Sequence, residues 1–293
     1  MALHIGQKIG GLPILYRLLS AFIVSSFLII VSAGTVYYFL AMAMMSESAR
    51  FQTHHILGNA IAHFNQLYTY TLAGDLTLLE TMPSLNNFLT GRPYEQRVYR
   101  YSIERQFLQV NLARDKRYLS ISYVDQFGKE QIATEGNLRR RQYHSVLQGG
   151  PPGSQEEGVK QLFLRLKSAK SQTILFAGPY IDADEGAYFI TGISKHEPEI
   201  SGFGGVILVK ASLADYIRHI GEMRIFNRHL AWLLTPNGKM LLRPPGNGLT
   251  IDPRPYLYTK SIPDELALIE SQVCRFGTDK GAVLQLVLSI PQK

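Results

Sequence analysis

The side chains best suited to hold a small molecule lie in segments with the look of β-strands. They are Tyr123 in YLSISYVD, Tyr180 and Asp182 in GPYIDADEG, and Tyr188 in AYFITGIS. A tyrosine joins an apolar ring to a hydrogen-bonding hydroxyl, and an aspartate adds a fixed negative charge. Arg105, in a neighbouring helical segment, is the candidate for facing an anion. Each also has a plain structural use. Tyr123 and Tyr188 can fill a sheet core, Asp182 can cap a turn, and Arg105 can face water.

Other chemistries are poorly served. His55 and His63 stand eight positions apart, about 12 Å along a helix axis, too far for one metal ion. Cys274 is the only cysteine, so it forms no internal disulfide and builds no zinc or iron–sulfur site by itself. Asp182 and Asp184 offer oxygen ligands, yet the twelve-residue calcium loop is missing. GGPPG and GFGG do not match a phosphate-cradling loop, and no serine nucleophile elbow or kinase signature occurs. The sequence therefore predicts no catalytic residues, no metal and no cofactor.

The elements that must position these residues begin with a membrane helix. From Leu18 to Ser46 no residue carries a formal charge, a run of 29, and a span needs only about 20. Lys8 and Arg17 precede it, which places residues 1–17 in the cytoplasm and the chain beyond 46 outside. A cleaved secretory signal is the rival reading, but its apolar core is normally about 7–15 residues. The formal charge of +7 comes with 46% hydrophobic and 18% charged residues. Arg139, Arg140 and Arg141 form a compact basic run, and Arg97, Arg100, Arg105 and Arg114 mark a solvated or anion-binding helix face. No nucleic-acid reading element accompanies them, so lipid or an anionic ligand is the better partner.

Beyond the span, residues 47–80 carry an apolar stripe at helical spacing: Phe51, His55, Leu57, Ile61, Phe64, Leu67, Tyr68 and Leu72. The stripe suits either a dimer face or internal packing. After a break at Met82-Pro83-Ser84, residues 94–114 predict a second helix, buried through Val98, Tyr101, Ile103, Phe107, Leu108 and Leu112. At Tyr118 the period changes to two. Leu119, Ile121 and Tyr123 should share one face, and Asp125 to Gly128 should turn the chain into a returning strand. A short helix at 159–169, strands at 173–177, 187–193 and 205–210, and a helix at 211–220 follow. The links between these strands are too short for crossover helices, so the class is α+β with an antiparallel sheet. At an offset of 110 residues the hairpin recurs: Val124 aligns with Leu234, Gly128 with Gly238 and Lys129 with Lys239. A last strand is expected at 282–290.

In this order, YLSISYVDQFGKEQI, GPYIDADEGAYFITGIS, GFGGVILVKASLADYI and AWLLTPNGKMLLRPP resemble a bacterial double-Cache extracytoplasmic sensor, a PAS-like domain. The resemblance implies a stalk helix and membrane-distal module over 47–220, and a smaller proximal module over 221–293. It implies a small-molecule ligand held between the distal sheet and its covering helix or loops. It also implies a dimer through the long helices and an output through a histidine kinase, cyclic-dinucleotide enzyme or chemotaxis region. Two departures qualify this expectation. RVYRYSIERQF does not reproduce the Arg–aromatic motif of the amino-acid-binding subgroup, and Lys210 stands near the strand where that subgroup has an aspartate. The expected ligand is accordingly a small anionic or neutral metabolite. A second membrane helix and an output region are not found in these 293 residues, as expected either of a piece of a larger receptor or of a truncated or stand-alone membrane protein. A membrane-anchored structural or assembly protein is the alternative reading.

Overall fold

The computed structural model describes residues 14–136, 138–139, 144–169, 172–197, 202–223, 230–235, 237, 239–242, 266–275 and 282–291. Residues 1–13 of the expected cytoplasmic segment, Arg140, Arg141 and Gly238 fall outside that set. Contacts divide the chain into two units, Met1–Thr53 and His54–Lys293.

Helix α1 covers Ile14–Phe64. In the first unit, successive apolar residues such as Phe22, Ile23 and Val24 are all exposed, so the helix is apolar all round, as a lipid-facing helix is. Four of its hydroxyls are satisfied within the helix: Ser20, Ser25 and Ser32 donate to carbonyls three residues back, and Thr35 donates to Val31 O at 2.8 Å. Hydrocarbon offers such groups no other partner.

In the second unit α1 buries Leu57, Ala60 and Phe64. A π-helical segment, Asn65–Thr71, and helix α2, Leu72–Glu80, carry the stripe on through Tyr68, Leu72 and Leu76. Three successive steps of four would drift about 40° each on a 3.6-residue helix, and the wider π turn absorbs this drift. This part of the stripe is an internal packing face, whereas Phe51 and His55 are exposed. The expected break at Met82 is only a corner. Helix α3, Pro83–Thr90, and helix α4, Pro93–Ala113, each start with proline in the first turn, where a missing N–H costs nothing.

Helix α4 departs from its expected buried side. Ile103 and Phe107 are buried, but Val98, Tyr101 and Leu112 are exposed. Glu104 and Asn111 take places on the inner face instead. Asn111 donates to Gly136 O at 2.7 Å and accepts from Tyr118 N at 3.1 Å, closing backbone groups that would otherwise be buried unpaired. Arg114 is not merely solvated: it grips buried Asp75 through two bonds of 2.8 Å.

Strands β1 (Tyr118–Asp125), β2 (Glu130–Glu135), β3 (Leu138–Arg139), β4 (Ile174–Asp182), β5 (Gly186–Glu197) and β6 (Gly202–Ser212) form one antiparallel sheet, ordered β3-β2-β1-β6-β5-β4. Helices α1 to α4 cover one face, and α5 (Gln155–Ser168) packs Leu162, Phe163 and Leu166 on the other. A register shift between Tyr118 and Ser120 moves Leu119 off its expected side. Tyr118, Ile121 and Tyr123 therefore join the core under α1–α4, while Leu119 packs with the α5 cluster. The bulge is a tertiary feature that period-two counting does not anticipate.

Helix α6, Ala214–Glu222, leads to a second antiparallel sheet, ordered β8-β7-β10-β9. Its strands are β7 (Leu230–Leu234), β8 (Met240–Leu242), β9 (Leu266–Arg275) and β10 (Ala282–Pro291); β9 was not expected. Tyr216 of α6 reaches Cys274 of β9, with 3.4 Å between hydroxyl and sulfur. The repeat at an offset of 110 has a physical counterpart. Asp125 N donates to Lys129 O at 2.9 Å and Thr235 N donates to Lys239 O at 2.8 Å. In both hairpins the first residue's side chain also accepts from the last residue's N–H.

Candidate ligand-binding cavity

The α5 face of the six-stranded sheet holds a cavity of about 360 Å³. Strand register builds its floor. Ser120 of β1 stands opposite Lys210 of β6, which stands opposite Ile190 of β5; in the next row Ser122, Leu208 and Gly192 align in the same way. Gly192 belongs there because a Cβ would lie 2.7 Å from Leu208 Cδ2 and 2.8 Å from Leu166 Cδ1, preventing α5 from settling on the sheet.

Two elements close the walls. The first turn of α5 supplies Gln155, Glu156 and Val159, with Ser154 as its N-cap accepting from Glu157 N at 3.3 Å. The loop 144–149 is tied to the β1–β2 turn: Val146 N donates to Gly128 O at 2.9 Å, and Glu130 N donates to His144 O at 3.0 Å. Gly128 meets both conditions for that docking. Its φ is +77°, and a Cβ would lie 2.5 Å from Leu147 Cγ. As expected, Asp125 holds the turn, its carboxylate accepting from Phe127 N and Lys129 N at 2.9 Å each.

Lys210 reaches into the cavity wall as one partner of an ion pair with Glu185. Its ammonium also lies 3.9 Å from the centroid of the Tyr188 ring. The Tyr188 hydroxyl donates to Gln155 Oε1 at 2.6 Å, and burial, then Glu185, push its pKa up to about 12. A second cavity, of about 550 Å³, adjoins the first. Tyr180, Asp182 and Tyr188 meet Thr235, Asn237 and Lys239, which lie between β7 and β8, across it, and Gln155 and Glu156 line both spaces.

Of the residues singled out from the sequence, Tyr180, Asp182 and Tyr188 thus come together. Tyr180 is positioned by Gly158 of α5, where a Cβ would lie 1.5 Å from its hydroxyl oxygen. Asp182 is exposed, and backbone N–H groups of Asp184 and Glu185 hold its carboxyl below the usual range. Tyr123 and Arg105 lie apart from both cavities. Tyr123 is fully buried under the helices and donates to Gly204 O at 2.6 Å, while Arg105 is exposed on α4. Sequence reasoning missed Ser120, Ser122, Glu130 and Gln155. The one available signal was the alternation of Ser120 and Ser122 with Ile121 and Tyr123, a polar face on a strand expected to be buried. Among the described residues, no group of three His, Cys, Asp or Glu side chains is placed to hold a metal ion.

No protein-family model and no curated protein matches the sequence. Solved structures match its fold. A domain assigned to a sensory box/GGDEF family protein from Vibrio parahaemolyticus superposes with a TM-score of 0.60 at 14% identity, over 84% of this chain and 97% of that one. The extracellular domain described as that of histidine kinase vpHK1S-Z8 gives 0.61 at 12% identity, over 84% and 95%. The ligand-binding domain of the Pseudomonas aeruginosa PAO1 amino acid chemoreceptor PctC, in complex with GABA, gives 0.50 at 14% identity, over 82% and 98%. The chain has the fold of an extracytoplasmic, PAS-like double-Cache sensor domain, as the ordered strand–turn–strand pieces led one to expect. By length and composition, one helix of the described residues is also long and apolar enough to cross a membrane.

Proposed function

We propose that this chain is the input part of a bacterial signalling receptor, binding a small molecule in the cavity between the six-stranded sheet and α5. The carrying observation is that cavity itself: about 360 Å³, with Ile190 and Leu208 beside Ser120 and Ser122 on its floor and Gln155 and Val159 in its wall. Its volume falls within the range of small-molecule sites, roughly 300–1,000 Å³. That PctC's domain was solved with GABA, on the same fold, supports the reading. In this proposal residues 47–220 form the distal sensing module and 221–293 the proximal one, with the amino terminus in the cytoplasm. Two copies pair through α1, and binding shifts the balance between two helix arrangements, as a ligand does only when it favours one of them.

The test is occupancy. Full-length protein in detergent is incubated with a bacterial metabolite extract, washed, and denatured, and the released molecule is read by mass spectrometry. Ser122→Phe, which fills the cavity, is expected to release none while melting at the wild-type temperature. Equal release from both proteins sinks the assignment of the cavity. Cysteines at Phe51 should crosslink between copies at a rate that changes with the identified molecule. A second reading, assembly through α4, draws on its exposed Tyr94, Val98, Tyr101 and Leu112. Loss of self-association on changing Val98 and Tyr101 to serine, with no molecule bound by the wild type, would put that reading first.

A further inference from the structure

Lys210 has a partner within the protein, and the manner of that pairing bears on what the cavity accepts. Its side chain is only 13% exposed, whereas that of its partner Glu185 is 29% exposed. Lys210 belongs to a strand in the interior of the sheet, between β1 and β5. Glu185 sits in the tight β4–β5 turn, where Asp182 Oδ1 accepts from Asp184 N at 2.8 Å and from Glu185 N at 3.2 Å. The cation is thus fixed by the fold, and the anion is carried on a turn at the edge. The Glu185 side chain can swing into water without disturbing the sheet.

Resting on the reading of this cavity as a ligand site, we infer that its ligand carries a carboxylate on a hydroxyl-rich body, and that this carboxylate replaces Glu185 on Lys210. The exchange swaps one charge-assisted bond for another, so the buried ammonium is never left alone. A neutral ligand offers nothing for Lys210, and a cationic one would meet like charge at the same wall. Ser120 and Ser122 lie in the rows containing and adjoining Lys210, where they meet the ligand's hydroxyls. Glu130 and Glu156 also line the cavity and disfavour a second or third negative charge, which selects a monocarboxylate over phosphate.

The test uses one skeleton with three heads: gluconate, sorbitol and glucamine, titrated calorimetrically at fixed ionic strength into the full chain in lipid nanodiscs, with inorganic phosphate as a fourth arm. Gluconate is expected to bind the wild type most tightly. Glu185→Gln, which removes the internal competitor, is expected to tighten gluconate by about tenfold and leave sorbitol unchanged. Lys210→Met is expected to abolish the preference for gluconate over sorbitol. Sorbitol or glucamine binding as tightly as gluconate, or gluconate affinity indifferent to Glu185→Gln, overturns the charge assignment while keeping the ligand site. Phosphate binding more tightly than gluconate overturns the monocarboxylate. Binding of none of the four to wild type or Glu185→Gln also overturns the inference. The cavity reading then stands or falls separately on the extract comparison with Ser122→Phe.

Discussion

The two faces of the six-stranded sheet are made by the same strands, yet they use polar side chains in opposite ways. Under α1–α4 every tyrosine hydroxyl described above is committed to a protein group: Tyr68 donates to Ser212 O at 2.8 Å, Tyr123 to Gly204 O at 2.6 Å, and Tyr118 to Asp75. Charges there are paired in the interior, as in Lys195 with Glu80 at 3.3 Å, with side chains 5% and 8% exposed. On the α5 face, Ser120, Ser122 and Gln155 border open space, and the Lys210–Glu185 pair reaches the edge. A single residue of strand alternation separates a closely packed face from one that borders a cavity. The dry face fixes the sheet, and that rigidity holds the other face open.

The largest effect should come from the dry face. Lys195→Met leaves Glu80 charged among apolar neighbours and should lower unfolding free energy by about 3–5 kcal/mol in denaturant titration. The matching change on the cavity face, Lys210→Met, should cost about 1 kcal/mol or less, because Glu185 can turn to water. Equal losses would erase the distinction between the faces. Between these lies Gly158→Ala. Its new methyl must displace the Tyr180 ring, a strain of about 1–3 kcal/mol, against which the helix gains roughly 1 kcal/mol in propensity. A net change of about 1 kcal/mol is expected, together with greater solvent exposure of Tyr180 in ultraviolet difference spectra. An unchanged Tyr180 spectrum would show that the ring is not held by Gly158.

The smallest effect concerns pH on the helix face. His63 of α1 lies 4.2 Å, ring centroid to ring centroid, from His219 of α6 and is also stacked on Tyr216. Burial, then His219, then Arg117 lower its pKa, with Asp215 opposing. A histidine whose folded pKa lies below its unfolded value of about 6.5 is more readily protonated in the unfolded chain. Its neutral form supports folding fully above that value, and stability falls as pH drops through it toward the folded pKa. The melting temperature should therefore fall further between pH 7.5 and 5.5 for wild type than for His63→Gln. Parallel curves would remove His63 from the account.

Much of the architecture was legible because its causes are local. An uncharged run of 29 residues, prolines at helix starts, and Asp125 followed by Gly128 act within a few residues of themselves. The recurrence at an offset of 110 could be read for the same reason, since both hairpins close through the same pair of positions. The helix faces were only half legible. Spacing identified Phe64, Tyr68 and Leu72, but on α4 the inner positions went to Glu104 and Asn111, and the backbone groups that Asn111 serves lie on β1 and beyond β2. Nothing in the α4 sequence announces them.

The site was less legible still. Tyr180, Asp182 and Tyr188 come together at the second cavity, whereas Tyr123, singled out by the same residue type, lies in the core. What separates them is the bulge at β1, which sets the face, and the β1–β6–β5 register, which lines up Ser120, Lys210 and Ile190. The long apolar helix, the α+β class and the hairpins could be read from the residue order alone, because each follows from periodicity, hydropathy or turn chemistry within a short window. Only the tertiary structure decided which strand face opens into a cavity and that Lys210 would be held by Glu185, 25 residues away. Those outcomes depend on register and on helix packing, and both are settled by contacts between segments that carry no local record of one another.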